Sequence, residues 1–126
     1  MIAHEVGHHV QTLLGASEKV QQAKRWASRE EANAIQVKME LQADCLAGVW
    51  ANYANRKENI LEAGDDAKAM AAAEAIGDDM IQRRSSSRVR PETFIHGTAA
   101  QRQLWFDAGL ESGRMHACET FSARRL

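Results

Sequence analysis

The chain has 126 residues, of which 44% are hydrophobic and 26% charged, and its formal net charge is −1. This length suits one domain or part of one, and the balanced charge argues against a general nucleic-acid-binding protein. No stretch approaches the roughly 18 consecutive apolar residues that a membrane-spanning helix needs. With 1 proline and 8 glycines, the composition favours a helical protein over a turn-rich β-sandwich.

The first half of the chain is predicted to form three helices, over residues 1–14, 17–27 and 29–55. The third begins at a capping box, in which Ser28 is followed three residues later by Glu31. Apolar residues at helical spacing are expected to face the core. On the first helix these residues are Val6, Val10, Leu13 and Leu14, and on the third they are Ile35, Met39, Leu46, Val49, Trp50 and Tyr53.

The second half predicts two further helices, over residues 66–83 and 98–113, joined by a polar linker. Gly77 lies inside the first of them, at a cost of about 1 kcal/mol relative to alanine, which suggests close packing there. The second begins at another capping box, formed by Thr98 and Gln101, and carries Leu104, Trp105 and Ala108. The expected fold is therefore mainly α, with about five helices.

An H-E-x-x-H motif, His4-Glu5-Val6-Gly7-His8, lies on the first predicted helix. Residues four apart lie on the same face of a helix, so both imidazoles can reach one cation. Glu5 lies about a quarter-turn away, where it can reach a metal-bound water without ligating the metal. The motif predicts one zinc ion held by His4 and His8, with Glu5 as the general base of a hydrolase. The alternative is two exposed histidines on an amphipathic helix.

A zinc site of this kind needs a third protein ligand, and the downstream candidates are Glu40, Asp44, His96 and His116. On the third helix Glu40 and Asp44 lie one turn apart, away from its charged side. Two inward carboxylates are costly unless each is paired or bound to a metal. The pattern therefore favours Glu40 as the ligand and Asp44 as the acceptor that orients a ligating histidine. A salt bridge from the two carboxylates to arginine is the alternative.

Five stretches of the chain together resemble the bacterial neutral zinc metallopeptidase family. They are residues 4–11 (HEVGHHVQ), 40–51 (ELQADCLAGVWA), 75–79 (AIGDD), 94–102 (FIHGTAAQR) and 118–121 (CETF). The resemblance covers nearly the whole chain. It implies a gluzincin-type site, in which Glu40 is the third zinc ligand and belongs to an E-x-x-x-D motif.

The chain is also similar to the membrane-linked heat-shock and prenyl-protein metalloproteases, in which a histidine is followed six residues later by an arginine. His96 and Arg102 have this spacing. The oxyanion of a hydrolysis at zinc needs a second positive or hydrogen-bond-donating group beside the metal, and His96 or Arg102 could serve. The residues alone leave other roles open. His96 lies just before a helix cap and could form hydrogen bonds only with the backbone. Arg102 could form an ion pair with an acid such as Asp44, Asp78 or Asp79.

Members of the family are longer, with an N-terminal membrane-anchoring helix and a small sheet before the catalytic helix. The resemblance implies that residues 1–126 form a helical, zincin-type half-domain, the C-terminal catalytic part of a metallopeptidase whose upstream β-sheet is missing. The full-length bacterial parent would be membrane-anchored, with its catalytic part outside the cytoplasm, and this chain alone would be soluble. In that compartment Cys45 and Cys118 could form a disulfide.

The primary prediction is zinc-dependent hydrolysis of a peptide or protein substrate by a metal-activated water, with Glu5 as general base. Two alternatives stay open. One is a helical fragment that binds zinc only for structural stability, and the other is an interaction module without metal. No nucleic-acid partner is expected, nor any membrane span within this chain.

Overall fold

The computed structural model describes residues 2–58, 77–85 and 88–126. These residues form five α-helices: α1 (Ile2–Leu13), α2 (Ala16–Lys24), α3 (Arg29–Glu58), α4 (Asp78–Ser85) and α5 (Ala99–Ser112). Two short 3₁₀ helices, Pro91–Thr93 and Met115–Cys118, complete the described elements, which include no strand. The prediction of a mainly α fold is thereby confirmed.

Both predicted capping boxes are present. The Glu31 N–H donates to the Ser28 hydroxyl and the Ser28 N–H donates back to the Glu31 carboxylate, each at 3.2 Å. Thr98 and Gln101 form the same reciprocal pair at 3.0 and 2.9 Å. Each box satisfies two backbone donors that a helix start leaves unpaired, so the starts of α3 and α5 are encoded locally.

The long helix α3 is central, because α1, α2 and α5 all pack against it. Its contact with α5 is made backbone to backbone at two glycines. A Cβ added at Gly48 would collide with the Phe106 carbonyl oxygen, and one added at Gly109 would collide with the Cys45 carbonyl oxygen. Only glycine at both positions allows the two helices to approach this closely.

A disulfide joins Cys45 of α3 to Cys118 of the C-terminal 3₁₀ helix, the pair considered for a disulfide in the sequence analysis. The two cysteines are 73 residues apart, and closing a loop of that length stabilises the fold by roughly 4 kcal/mol through the unfolded state. Leu46 and Val49 are buried around the bond, with Trp105 of α5 packed against them. The disulfide therefore lies inside the core and anchors the chain's C-terminal segment to α3.

The buried face of α1 differs from the predicted apolar stripe. Leu13 is 72% exposed and Val10 is only partly buried, whereas His4, Gly7 and Gln11 are buried. Val10 still packs against the core, but the prediction was wrong for Leu13 and Leu14, because α3 presents buried polar groups to α1. Polar side chains of α1 must turn inward to pair with them, and the leucine side then faces outward.

Three further apolar or aromatic residues of the predicted helices are exposed: Trp50 (43%), Tyr53 (52%) and Leu104 (60%). Since α3 and α5 meet at their glycines, these bulky side chains are left on faces that the described helices do not cover.

Most of the predicted helix 66–83 lies outside the described residues. Gly77 is at a bend directly before α4 rather than inside a helix, and a Cβ there would collide with Ala99, as the expected close packing requires.

No helix in the part of the chain that the structure describes combines the length and apolar character that crossing a membrane requires.

Replacing Gly109 with alanine should destabilise the fold by about 2–3 kcal/mol, because the new methyl group meets a backbone carbonyl that cannot rotate away. The melting temperature, followed by circular dichroism, should fall by roughly 10 °C. Leu104→Ala, on the exposed side of the same helix, is the matched control and should change it little. Equal melting temperatures for Gly109→Ala and wild type would contradict this account of the α3–α5 contact.

Candidate metal centre

Two histidines of α1 and one glutamate of α3 converge on one point. His4, His8 and Glu40 each offer one potential ligand atom, and these atoms lie within 4.8 Å of one another. Glu40 Oε2 is 3.0 Å from His4 Nε2 and 2.7 Å from His8 Nε2. The imidazole rings are nearly perpendicular, with centroids 4.5 Å apart. Both rings thus direct the same nitrogen, Nε2, at one carboxylate oxygen.

The close crossing of α1 and α3 makes this convergence possible. At the crossing, Gly7 of the H-E-x-x-H motif lies directly against Ala43, and a Cβ on Gly7 would collide with the Ala43 carbonyl oxygen. Any larger residue would therefore separate the helices. The glycine between the two histidines is thus part of what brings Glu40 within reach of both.

The other ring nitrogen of His4 is held by a buried ion pair. His4 Nδ1 lies 2.7 Å from Asp44 Oδ1. Arg102 of α5 donates two hydrogen bonds to the same carboxylate, from Nε (2.9 Å) and Nη2 (3.0 Å). His4, Asp44 and Arg102 are 8%, 3% and 4% exposed. Because the carboxylate can only accept, His4 Nδ1 carries the proton and Nε2 faces the cluster. Three acids were considered as ion-pair partners of Arg102, and in the structure Asp44 is the one that binds its guanidinium.

Gln11 was given no role in the sequence analysis, although it lies within residues 4–11, a stretch that resembles the metallopeptidase family. Its Oε1 is 2.9 Å from His8 Nδ1, and the residue is completely buried. The available signal was its spacing, because residues three apart lie on the same face of a helix. A buried amide beside a predicted ligand is a candidate for orienting that ligand.

His96 lies at the edge of the cluster, just before α5. Its Nε2 is 4.0 Å from Glu40 Oε1 and its Nδ1 is 3.3 Å from Asp78 Oδ1. The other Asp78 oxygen accepts the backbone N–H groups of Ile95, His96 and Gly97, at 2.9, 2.6 and 3.0 Å. Asp78 at the start of α4 therefore shapes this turn and orients the imidazole, whose side chain is 39% exposed.

The remaining sequence candidates lie at the surface. Glu5 follows His4 on α1 and is exposed, and so is His9. His116, one of the candidate third ligands, is exposed on the C-terminal 3₁₀ helix and is not a member of the cluster.

The cluster strongly perturbs its own acid–base groups. Burial by itself lowers the pKa of His4, but the hydrogen bonds and charges of Asp44 and Glu40 outweigh burial and raise it to about 9. Burial opposes ionisation of Glu40 too, yet hydrogen bonds from His4 and His8 hold the pKa of this carboxyl far below its usual range. The hydrogen bond to Glu40 also raises the pKa of His8, against burial. Without a metal, the histidines therefore favour the protonated form beside an ionised carboxylate.

The donor set suits zinc. Two imidazole nitrogens and one carboxylate oxygen are a common protein ligand set of catalytic zinc sites, in which the fourth position is left to water. Each ring nitrogen that does not face the cluster has its own acceptor, Asp44 or Gln11, as metal-ligating histidines in proteins almost always do.

Residues 1–121 match the protein family described as "Putative neutral zinc metallopeptidase". The chain belongs to this family. It is 51% identical over 121 residues to "Uncharacterized protein YpfJ" of Escherichia coli, a match that covers 96% of this chain and 42% of that protein. It is 46% identical over 135 aligned residues to "Uncharacterized protein Rv2575" of Mycobacterium tuberculosis, covering all of this chain and 44% of the relative.

This metallopeptidase-family chain therefore spans less than half the length of the curated relatives it matches. No solved structure matches it.

The metal-free protein should lose stability as the pH rises from about 6.5 to about 9. The pKa of His4 is raised from 6.5 to about 9, so the folded state binds this proton more tightly than the unfolded chain. The stabilisation is fully present below pH 6.5 and is lost as the pH passes 9, and His8 contributes in the same direction. Melting temperatures measured in the presence of a chelator should show the decline.

The exposed histidine on the same helix provides the control for this pH series. His9→Gln should keep the full decline between pH 6.5 and 9, whereas His4→Gln should make it clearly smaller and leave only the part due to His8. A metal-free wild type whose melting temperature rises over this interval would contradict the assigned charge states.

Proposed function

We propose that this chain is the catalytic part of a zinc metallopeptidase and hydrolyses peptide bonds in a peptide or protein substrate. The observation that carries the proposal is the convergence of two histidine Nε2 atoms and the Glu40 carboxylate on one point. Membership of the family supports it. The chain spans less than half the length of its curated relatives. We therefore propose peptide hydrolysis for the whole protein as well as for this chain.

In this proposal His4, His8 and Glu40 hold one zinc ion. When bound, the ion supplies a Lewis acid that acidifies water and polarises the scissile carbonyl. Asp44 keeps the His4 proton on Nδ1, which leaves Nε2 available as a ligand. Arg102 acts through Asp44, because its guanidinium is buried against that carboxylate.

Glu5 is assigned as the general base. It lies between the two proposed ligands in the sequence, and its exposed carboxylate is open to solvent and substrate. It takes the proton from the attacking water and passes it to the leaving amine.

His96 is the better candidate for stabilising the oxyanion. It is partly exposed, it lies beside Glu40, and the hydrogen bond to Asp78 raises its pKa against the effect of burial. A protonated imidazole can donate from Nε2 to a developing negative charge. Arg102 is only 4% exposed, so a role through Asp44 suits it better than contact with substrate.

A purely structural zinc site is the second candidate function. Structural zinc ions are usually enclosed by four protein ligands. Among the described residues the cluster contains three, and the partly exposed His96 lies beside it, with Nε2 4.0 Å from Glu40 Oε1. These features favour catalysis over a structural role. The third possibility, an interaction module without metal, predicts no bound zinc. Measuring the metal content therefore separates it from the catalytic and the structural zinc site.

We further propose that the longer parent protein is held at a bacterial membrane with this part outside the cytoplasm. The proposal rests on the family resemblance, and the Cys45–Cys118 disulfide supports it, because disulfides persist in oxidising compartments.

Zinc content tests the metal site directly. The wild-type chain, purified without added metal, should contain one zinc per molecule by elemental analysis. Glu40→Gln should lose most of it on dialysis, because a neutral amide is a poor zinc ligand. Glu111→Gln, an exposed glutamate on α5, is the matched control and should keep wild-type content. Equal zinc in wild type and Glu40→Gln would remove Glu40 from the ligand set.

Catalysis is tested by Glu5→Gln in zinc-loaded protein. The variant should retain its zinc and lose cleavage of unfolded casein by about 100-fold or more, as expected when a general base is removed. Glu18→Gln, on the exposed side of α2, is the control and should cleave like wild type. A wild type that binds zinc but cleaves no better than Glu5→Gln would refute catalysis by this chain and favour the structural role.

A further inference from the structure

Gln11 is a fully buried amide between α1 and α3, and every polar atom of its side chain has a partner. Its nitrogen donates to the Met39 carbonyl oxygen at 2.8 Å and to Gln42 Oε1 at 2.9 Å. Its oxygen lies 2.9 Å from His8 Nδ1. An amide nitrogen has two hydrogens, and both are used here.

The orientation of these amides follows from backbone carbonyls, which can only accept. The Met39 carbonyl requires the nitrogen of Gln11 on its side. The Cys118 carbonyl, 3.0 Å from Gln42 Nε2, requires the nitrogen of Gln42 on its side. Gln42 must then present its oxygen to Gln11, which is consistent with the same orientation of Gln11. The chain of hydrogen bonds runs in one direction, from His8 to the Cys118 carbonyl.

The tautomer of His8 follows from this chain. Since Gln11 Oε1 can only accept a hydrogen bond, His8 Nδ1 must carry a proton. The neutral ring then has its lone pair on Nε2, the atom that faces Glu40. Asp44 imposes the same tautomer on His4, but with a carboxylate in place of an amide.

We propose that Gln11 is a positioning residue for the metal site: oriented by Met39 and Gln42, it fixes His8 as the tautomer that ligates through Nε2. This inference rests on the proposed function, because it presupposes that His8 binds the metal. It also assigns a role to the C-terminal segment, whose Cys118 carbonyl sets the direction of the chain of amides.

Gln11→Leu removes the acceptor while keeping a side chain of similar size. The probe is zinc alone, with its affinity measured by competition with a chelator. Loss of a hydrogen bond that orients a metal ligand typically weakens binding by about 10- to 100-fold, and that loss is expected here.

Thr120→Val is the matched control for packing. Thr120 is as completely buried as Gln11, and its hydroxyl donates to the Lys38 carbonyl, the neighbour of Met39 on α3. This variant also breaks one buried bond to the backbone of α3 but touches no proposed ligand. Its zinc affinity should stay within about 2-fold of wild type. Equal weakening in both variants would mean that the effect follows packing, and would overturn the proposal.

A spectroscopic readout separates positioning from stability. In zinc-loaded wild type, the His8 Nδ1 proton should be visible by ¹⁵N-resolved NMR and exchange slowly, because Gln11 binds it. In Gln11→Glu the carboxylate can still accept that bond although both donors are lost, so the proton should stay protected. A folded, zinc-loaded Gln11→Glu in which this proton exchanges as fast as at an exposed histidine would overturn the proposal, even where Gln11→Leu does not fold.

Zinc binding by the wild type distinguishes failure of the proposed function from failure of the role of Gln11. A wild type that binds no zinc refutes the proposed function itself. A wild type that binds zinc with the same affinity as a folded Gln11→Leu refutes only the role of Gln11.

Discussion

Two carboxylates buried one turn apart on α3, Glu40 and Asp44, constrain everything that packs against that helix. Burying a charge is costly unless a partner of opposite charge or a metal compensates. Helix α1 therefore turns its histidines inward instead of its leucines, and α5 delivers Arg102 to Asp44. The polar contacts thus determine how the surrounding helices face α3, and the apolar core is arranged around them.

Close backbone contact is the second requirement. Side chains as short as those of Glu40 and Asp44 reach partners on two other helices only if those helices lie almost in contact with α3. Gly7 provides this on one side, and Gly48 with Gly109 provides it on the other. The disulfide then holds the C-terminal segment against α3, where the Cys118 carbonyl meets Gln42. Remote parts of the chain are in this way linked to the two histidines.

The site has a closed side and an open side, and the difference bears on its chemistry. Towards α5 lies the buried pair of Asp44 and Arg102, which excludes solvent from His4 Nδ1. At the edge beside Glu40, His96 is partly exposed and is oriented by Asp78. Buried partners therefore orient His4, whereas His96 keeps access to solvent beside Glu40.

Features that depend on neighbouring residues could be predicted from the sequence. The capping boxes at Ser28 and Thr98, the pairing of His4 with His8 on one face, and the inward direction of Glu40 and Asp44 all follow from local spacing. The outward direction of Leu13, the pairing of Arg102 with Asp44 and the contact of Gln11 with His8 came instead from the packing of the helices. These outcomes depend on which distant backbones approach each other and on which buried polar atoms then need partners. The periodicity of a single helix carries no such information.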